Sequence, residues 1–317
     1  MARIVSIGSA LQDVFLIDHD DFGVNQRGFL NQLELGTKVD IDNIHFSVGG
    51  GAINTATTFA RHGHETIFMG CIANDPAGTA IINALDDEGI DTNYINYLTK
   101  THTGYSVLLL SPTGERTILT CRGASARFET INPADLDTIH PDWLYVSTLR
   151  GNMDVLDRLF AHARKLGAKI MFNPGNLELT HQRQLLGLLS DVEVLLLNKS
   201  EAKQLVPGRT LVELASHLSS YVPTAIITDG SQGAIAANAG RIIRIGIYED
   251  VKVKDSTGAG DAFGSGFLAH YADNADLEKA LVFASANSTS VVQHIGSRDG
   301  ILSKGHRVHQ MPIQELR

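Results

Sequence analysis

Short runs of apolar and β-branched residues recur along the chain: RIVSIG at 3–8, TIFMGCI at 66–72, WLYVST at 143–148, AKIMFN at 168–173, VEVLLLN at 192–198 and TAIITDG at 224–230. Between them apolar positions return at helical spacing, over 51–62, 76–88, 152–166, 199–205, 210–220, 258–271 and 276–292. Strands that are apolar almost throughout must be buried on both faces. Their alternation with helices predicts an α/β fold, a mostly parallel sheet covered by helices. Two stretches depart from this. Residues 14–48 alternate polar and apolar without a helical repeat, and 103–121 reads as a hairpin turned by SPTGE. Both predict strands outside the main sheet, a small β appendage or lid. With no low-complexity linker and no repeat, the chain reads as a single domain, 1–317, with lid strands drawn from about 14–48 and 103–121. The last residues, KGHRVHQMPIQELR, read as a surface segment that packs or frays.

Composition narrows the class. The 317 residues are 43% hydrophobic and 19% charged, as in a globular protein with ample core. A net charge of −9 argues against a general nucleic-acid or membrane-surface binder, which needs a basic face. No apolar run approaches the roughly 18 residues of a membrane helix. The first apolar stretch, soon interrupted by Asp13, reads as a strand and not a signal peptide. Two cysteines, Cys71 and Cys121, make a disulfide framework improbable. The expected location is cytoplasmic. The histidines show no metal-ligand spacing.

The richest chemistry lies at 255–266, DSTGAGDAFGSG. Helical spacing begins at Gly258, so Gly258, Ala259 and Gly260 form a helix start whose backbone N–H groups lack intrahelical partners. Side chains this small let an anion reach those donors, and the helix dipole adds attraction. Asp261 in the first turn is either a simple dipole partner or a base that takes a proton from a hydroxyl attacking phosphorus held over the amides. Position 263 is Phe, so the dinucleotide pattern G-x-G-x-x-G fails, and no Gly-Lys pair exists for a Walker-type loop. A second glycine cluster, VGGGAINTATTFARHG at 48–63, opens another helix with Asn54 in its first turn. Asp13 follows the first strand, where open α/β sheets bind ligands. Arg122 closes the proposed lid and reads first as a solvated arginine, with an anionic substituent of the substrate as the alternative contact, and Asn173 ends a strand on the ligand side.

Taken in order, Asp13, GGGAIN at 49–54, NKSE at 198–201, TDGSQG at 228–233 and DSTGAGDAF at 255–263 resemble the ribokinase-like, or pfkB, family of carbohydrate and nucleoside kinases. The resemblance covers nearly the whole chain. It implies a three-layer α/β/α sandwich with a β lid over the acceptor, and ATP and Mg²⁺ as cofactors. It assigns Asp261 as catalytic base and Gly258, Ala259 and Gly260 as the anion hole. Asp13, Gly50, Gly51 and Asn54 match acceptor-binding positions. Asn198 and Glu201 match the N-x-x-E motif that organises Mg²⁺ through water. Thr228, Gly230, Gly233 and Thr257 fall at nucleotide-binding positions, with Asn287 near the adenine. Asp255 matches a monovalent-cation (K⁺) position of some members. A small sugar derivative and a nucleoside of the adenosine type remain open as acceptors. Phe15, Phe22, Phe29 and Tyr105 are available as a stacking wall for a base. A non-catalytic sensor on the same fold is the reading from another class, and a homodimer through the lid is expected.

Overall fold

The computed structural model describes residues 1–17, 36, 38, 40–110 and 116–316. In chain order its strands are β1 (Arg3–Ile7), β2 (Leu11–Ile17), β3 (Asn43–Gly49), β4 (Glu65–Met69), β5 (Cys71–Ala73), β6 (Asn96–Leu98), β7 (Gly104–Leu110) and β8 (Arg116–Cys121). They continue with β9 (Trp143–Val146), β10 (Lys169–Phe172), β11 (Val194–Asn198), β12 (Thr224–Thr228), β13 (Ala234–Asn238), β14 (Arg241–Ile245) and β15 (Ile313–Leu316). Nine form one sheet in the order β15-β14-β13-β12-β11-β10-β9-β1-β4. From β12 to β4 neighbouring strands are parallel, while β13, β14 and β15 run antiparallel at the other edge.

Successive side chains of a strand point to opposite faces, and here both faces are core. Val5, Leu144 and Leu195 join one apolar cluster, whereas Ile4, Tyr145 and Leu196 join the other. The helices Met153–Leu166 and Leu211–Leu218 supply residues to the first cluster, and Ala259–Asn274 and Leu277–Val291 supply the second. The result is the expected three-layer α/β/α sandwich. The apolar runs read from sequence all fall in strands of this sheet, with one correction. The run 66–72 is two strands, broken at Gly70, with β5 leaving the main sheet to pair with β6. The C-terminal segment is also more ordered than expected, because β15 pairs with β14 from Ile313 to Leu316.

The four-stranded second sheet, β3-β2-β7-β8, is the lid expected from 14–48 and 103–121. The SPTGE turn and most of 18–39 lie outside the described residues. Register divides its faces. Asp13, Ser106 and Thr120 are cross-strand neighbours on the inner face. Val14, Phe46, Val107 and Leu119 are neighbours on the outer face, where Phe46 is 61% and Leu119 58% exposed.

Candidate active site

Two cavities open side by side at the carboxyl ends of the parallel strands, where α/β sheets of this kind bind ligands. The larger, about 330 Å³, is lined from below by Ser9 after β1, Ser147 and Thr148 after β9, and Asn173 after β10. Ser106, Leu108, Ile118 and Thr120 line it from the inner face of the lid. All four expected acceptor residues, Asp13, Gly50, Gly51 and Asn54, lie in its wall, as do Glu201, Thr257, Gly258 and Asp261. The smaller, about 120 Å³, is lined by Thr228, Gly230, Gly233, Ala259 and Gly260, together with Ser285, Ser288 and Thr289. Residues 258–261 therefore form the partition. Gly258 and Asp261 face one cavity, and Ala259 and Gly260 face the other.

Local chemistry explains that partition. Gly258 caps the helix Ala259–Asn274 in the left-handed region, at φ 78°, which a side chain disfavours. A Cβ there would lie 2.5 Å from the Cβ of Ser297, so only glycine fits. No side chain caps this helix. The N–H of Ala259 makes only a long bond, 3.4 Å, to the Ser256 carbonyl. Among the described residues no acceptor is found for the amides of Gly258, Gly260 or Asp261. Unpaired donors at the positive end of a 16-residue helix favour an anion. Gly264 has a different task. A Cβ there would meet the Tyr145 hydroxyl at 2.4 Å, so its absence lets the helix lie close on β9.

Asp261 is held by one polar partner, Asn54, whose Nδ2 donates to Oδ2 at 2.8 Å. Ser297 Oγ donates to the Asn54 carbonyl oxygen at 2.7 Å and so fixes the amide's orientation. Burial pushes the Asp261 carboxyl above its ordinary value, and the Asn54 donor opposes that rise. Asp13 is pushed further, up to about 7, chiefly by burial, with a Ser106 hydrogen bond pulling the other way. Glu201 rises too, by burial, although hydrogen bonds from Asn198 counter it.

Other expected residues are placed less simply. Asn198 and Glu201 form a capping box on the helix Lys199–Leu205: Glu201 N–H donates to Asn198 Oδ1 at 2.9 Å, and Asn198 N–H to Glu201 Oε2 at 2.8 Å. The motif thus has a structural task, and Glu201 also reaches the larger cavity. Asn287 does not face the smaller cavity. It is fully buried, donating to the Ala262 carbonyl at 2.8 Å and accepting from Leu302 N–H at 2.9 Å, while its neighbours Ser285, Ser288 and Thr289 face the opening. Asp255, the expected cation position, is fully buried and already satisfied. It accepts from Thr257 N–H and Oγ and from Gly296 N–H, and the Arg116 guanidinium lies 3.5 Å away. The Arg116 charge would compete with a cation at that carboxylate. Among the described residues no cluster of three or more metal-ligating side chains occurs.

The stacking wall is also corrected. Phe15 is fully buried against His45, Tyr105 lies on the outer face with Val107, and Phe22 and Phe29 lie outside the described residues. Among the described residues no aromatic ring lines the larger cavity. Sequence reasoning missed Glu178. This fully buried carboxylate accepts from Thr148 Oγ, Leu149 N–H, Gly151 N–H and Gly175 N–H at 2.7–2.9 Å, clamping the loops after β9 and β10 that floor the cavity. Its local signal was its place in the first turn of the helix Asn176–Thr180. Its partners could not be read from spacing.

No helix among the described residues is long and apolar enough to cross a membrane. The sequence profile described as pfkB family carbohydrate kinase matches residues 1–304. A ribokinase of Haemophilus influenzae is 27% identical over 82% of this chain and 85% of its own, and a nucleoside kinase of Methanocaldococcus jannaschii is 24% identical over 84% and 86%. Among solved structures, Arabidopsis thaliana ribokinase complexed with ribose and ATP superposes with a TM-score of 0.80 at 21% identity, covering 95% of this chain and 96% of that one. The fold, the paired cavities and the match over nearly the whole sequence agree: the chain belongs to the pfkB family of carbohydrate kinases, phosphotransferases that use an alcohol as acceptor.

Proposed function

We propose that the protein transfers the γ-phosphoryl group of ATP to a hydroxyl of a small sugar or sugar derivative, with Asp261 as general base. The observation that carries this reading is the partition: unpaired amides and a carboxylate stand between a cavity on the β12 side and a cavity under the lid. In this reading the nucleotide lies along Thr228, Gly230 and Gly233, with its terminal phosphate over residues 258–260. The acceptor lies among Asp13, Gly50, Gly51 and Asn54. The amides stabilise charge on the equatorial oxygens without reorganising, which is the main lever in phosphoryl transfer. Asp261 orients the acceptor hydroxyl and takes its proton. A carboxyl raised by burial is a better base near neutral pH than an ordinary one. The lid excludes water that would otherwise accept the phosphoryl group.

Magnesium bound with ATP would neutralise phosphate charge. Glu201, which reaches the larger cavity, together with Asn198 would suit contact through the metal's waters. The hydrogen-bonding groups of the lining, among them Asp13, Asn54, Ser106, Thr120 and Asn173, suit the hydroxyls of a sugar. The whole chain acts as one kinase domain in this reading. The exposed apolar outer face of the lid supports a homodimer through that sheet, as the parallel apolar strips of β3 and β8 leave Ile44, Phe46 and Leu119 uncovered. Phe46→Asp would then yield monomers in sedimentation, and a wild-type monomer would exclude the dimer.

The direct test is ADP release from ATP and Mg²⁺ with a panel of sugars, sugar acids, sugar phosphates and nucleosides. Acceptor-dependent release supports the reading. Release with none of them would favour a sensor on the kinase fold.

A further inference from the structure

The cavity under the lid contains an arginine for which phosphoryl transfer has no use. Arg122 directly follows β8, is half-buried, and lines the cavity beside Thr120 and Asn173. Among the described residues its guanidinium makes no hydrogen bond or ion pair. Arg61 is paired with Glu88, Arg164 with Asp191 and Arg241 with Glu315, whereas Arg298, whose Nε and Nη1 are buried without a hydrogen-bond partner, does not line this cavity. Removing a guanidinium from water without supplying an anion is unfavourable, unless the anion arrives with a ligand.

A second positive group lies behind it. Arg150 follows Thr148, which lines the same cavity, and with Ala126 it borders an adjoining cleft of about 460 Å³. Burial and then the charge of Arg150 both lower the Arg122 pKa. The Arg150 backbone is held in the left-handed region, at φ 59°, which a non-glycine residue enters at a cost. Buried Glu178 holds it there by accepting from the N–H groups on both sides, those of Leu149 and Gly151. Asp13 attracts Arg122 through its charge but forms no ion pair with it, accepts a hydrogen bond from Ser106, and is pushed by burial to a pKa of about 7. Arg122 in the wall of the larger cavity, with Arg150 adding positive charge from the neighbouring cleft and Asp13 not paired to it, makes an anion site. A guanidinium binds phosphate or carboxylate through parallel N–H donors.

Resting on the kinase reading above, we propose that the acceptor carries an anionic group, a phosphate or a carboxylate, away from the hydroxyl that faces Asp261, and that Arg122, supported by Arg150, is the specificity-determining residue that reads it. The test uses three acceptors that share a free 5-hydroxyl: ribose, ribose 1-phosphate and ribonate. A second triplet is fructose, fructose 6-phosphate and 2-ketogluconate. Wild-type kcat/KM is expected to favour an anionic member over its neutral parent by about 30-fold or more. Arg122→Gln should abolish that preference, chiefly through KM, while Arg122→Lys restores part of it with an unchanged melting temperature. The phosphate and carboxylate arms identify which anion is read. A wild-type preference for neutral members, or an anionic preference that survives in Arg122→Gln, overturns the inference and leaves the kinase reading standing. ADP release with no member of either triplet, nor with the wider panel, overturns the kinase reading and this inference with it.

Discussion

Replacing Asn54 with Ala tests how this site sets the strength of its base. Asn54 donates one hydrogen bond, at 2.8 Å, to the Asp261 carboxylate, and it is the one polar side chain found opposing the upward push of burial. A hydrogen bond to a charged group is worth about 1.5–3 kcal/mol net. Its loss should therefore raise the Asp261 pKa further. The sign follows from the chemistry. In the proposed role Asp261 must be ionised to take a proton, so a higher pKa would move the acid limb of the activity profile to higher pH. The assay is kcat/KM for the acceptor from pH 5 to 9, since that ratio reports the free enzyme's ionisations. The variant should be poorest at low pH and approach its own plateau as Asp261 ionises. Because Asn54 also lines the larger cavity, the proposed acceptor site, the plateau itself should be lower, and the midpoint is therefore the decisive quantity. A reduced plateau with an unmoved midpoint would refute the tuning role and leave Asn54 as an acceptor contact alone.

Asp261→Asn should keep the fold and ATP affinity, measured by calorimetric titration, while turnover falls by ~10² or more; near-normal turnover would exclude it as the base. Gly258→Ala forces a left-handed alanine against Ser297, 2.5 Å from its Cβ, and should cost about 2–4 kcal/mol in urea unfolding, with turnover falling by ~10² as the amides shift. Asp13→Asn tests the pKa of about 7. The native carboxyl is raised above its unfolded value of 3.8, so its contribution is fully present below pH 3.8 and is lost as pH rises through about 7. Wild-type stability should then decline by about 4 kcal/mol relative to Asp13→Asn between pH 4 and 8. A pH-independent difference between the two proteins would rule out the shift.

Particular elements show how far local patterning reached. The helices at 51, 153, 199 and 259 begin within a residue of where spacing and small or capping residues placed them, because those signals act over one or two turns. The run at 66–72 misled, since a strand that turns into a second sheet at Gly70 looks continuous when only its hydrophobicity is read. β13 and β14 escaped notice for a related reason: their short, partly polar runs gain strand character from neighbours across the sheet. Asn287 was placed by its neighbourhood in the sequence, yet a helix shows residues to every side, and this one points inward.

The sequence by itself determined the alternation of buried strands and helices, the helix start at 258–260 and the pfkB signature. Each of these depends on residues a few positions apart. The tertiary structure alone decided which groups meet: Asn54 with Asp261 across 207 positions, Ser297 with Asn54 across 243, the lid's Arg116 with Asp255, and Arg122 with Asp13 in one cavity wall. Such encounters depend on how whole elements stack, and their strength comes from the exclusion of water around them, which no local pattern records.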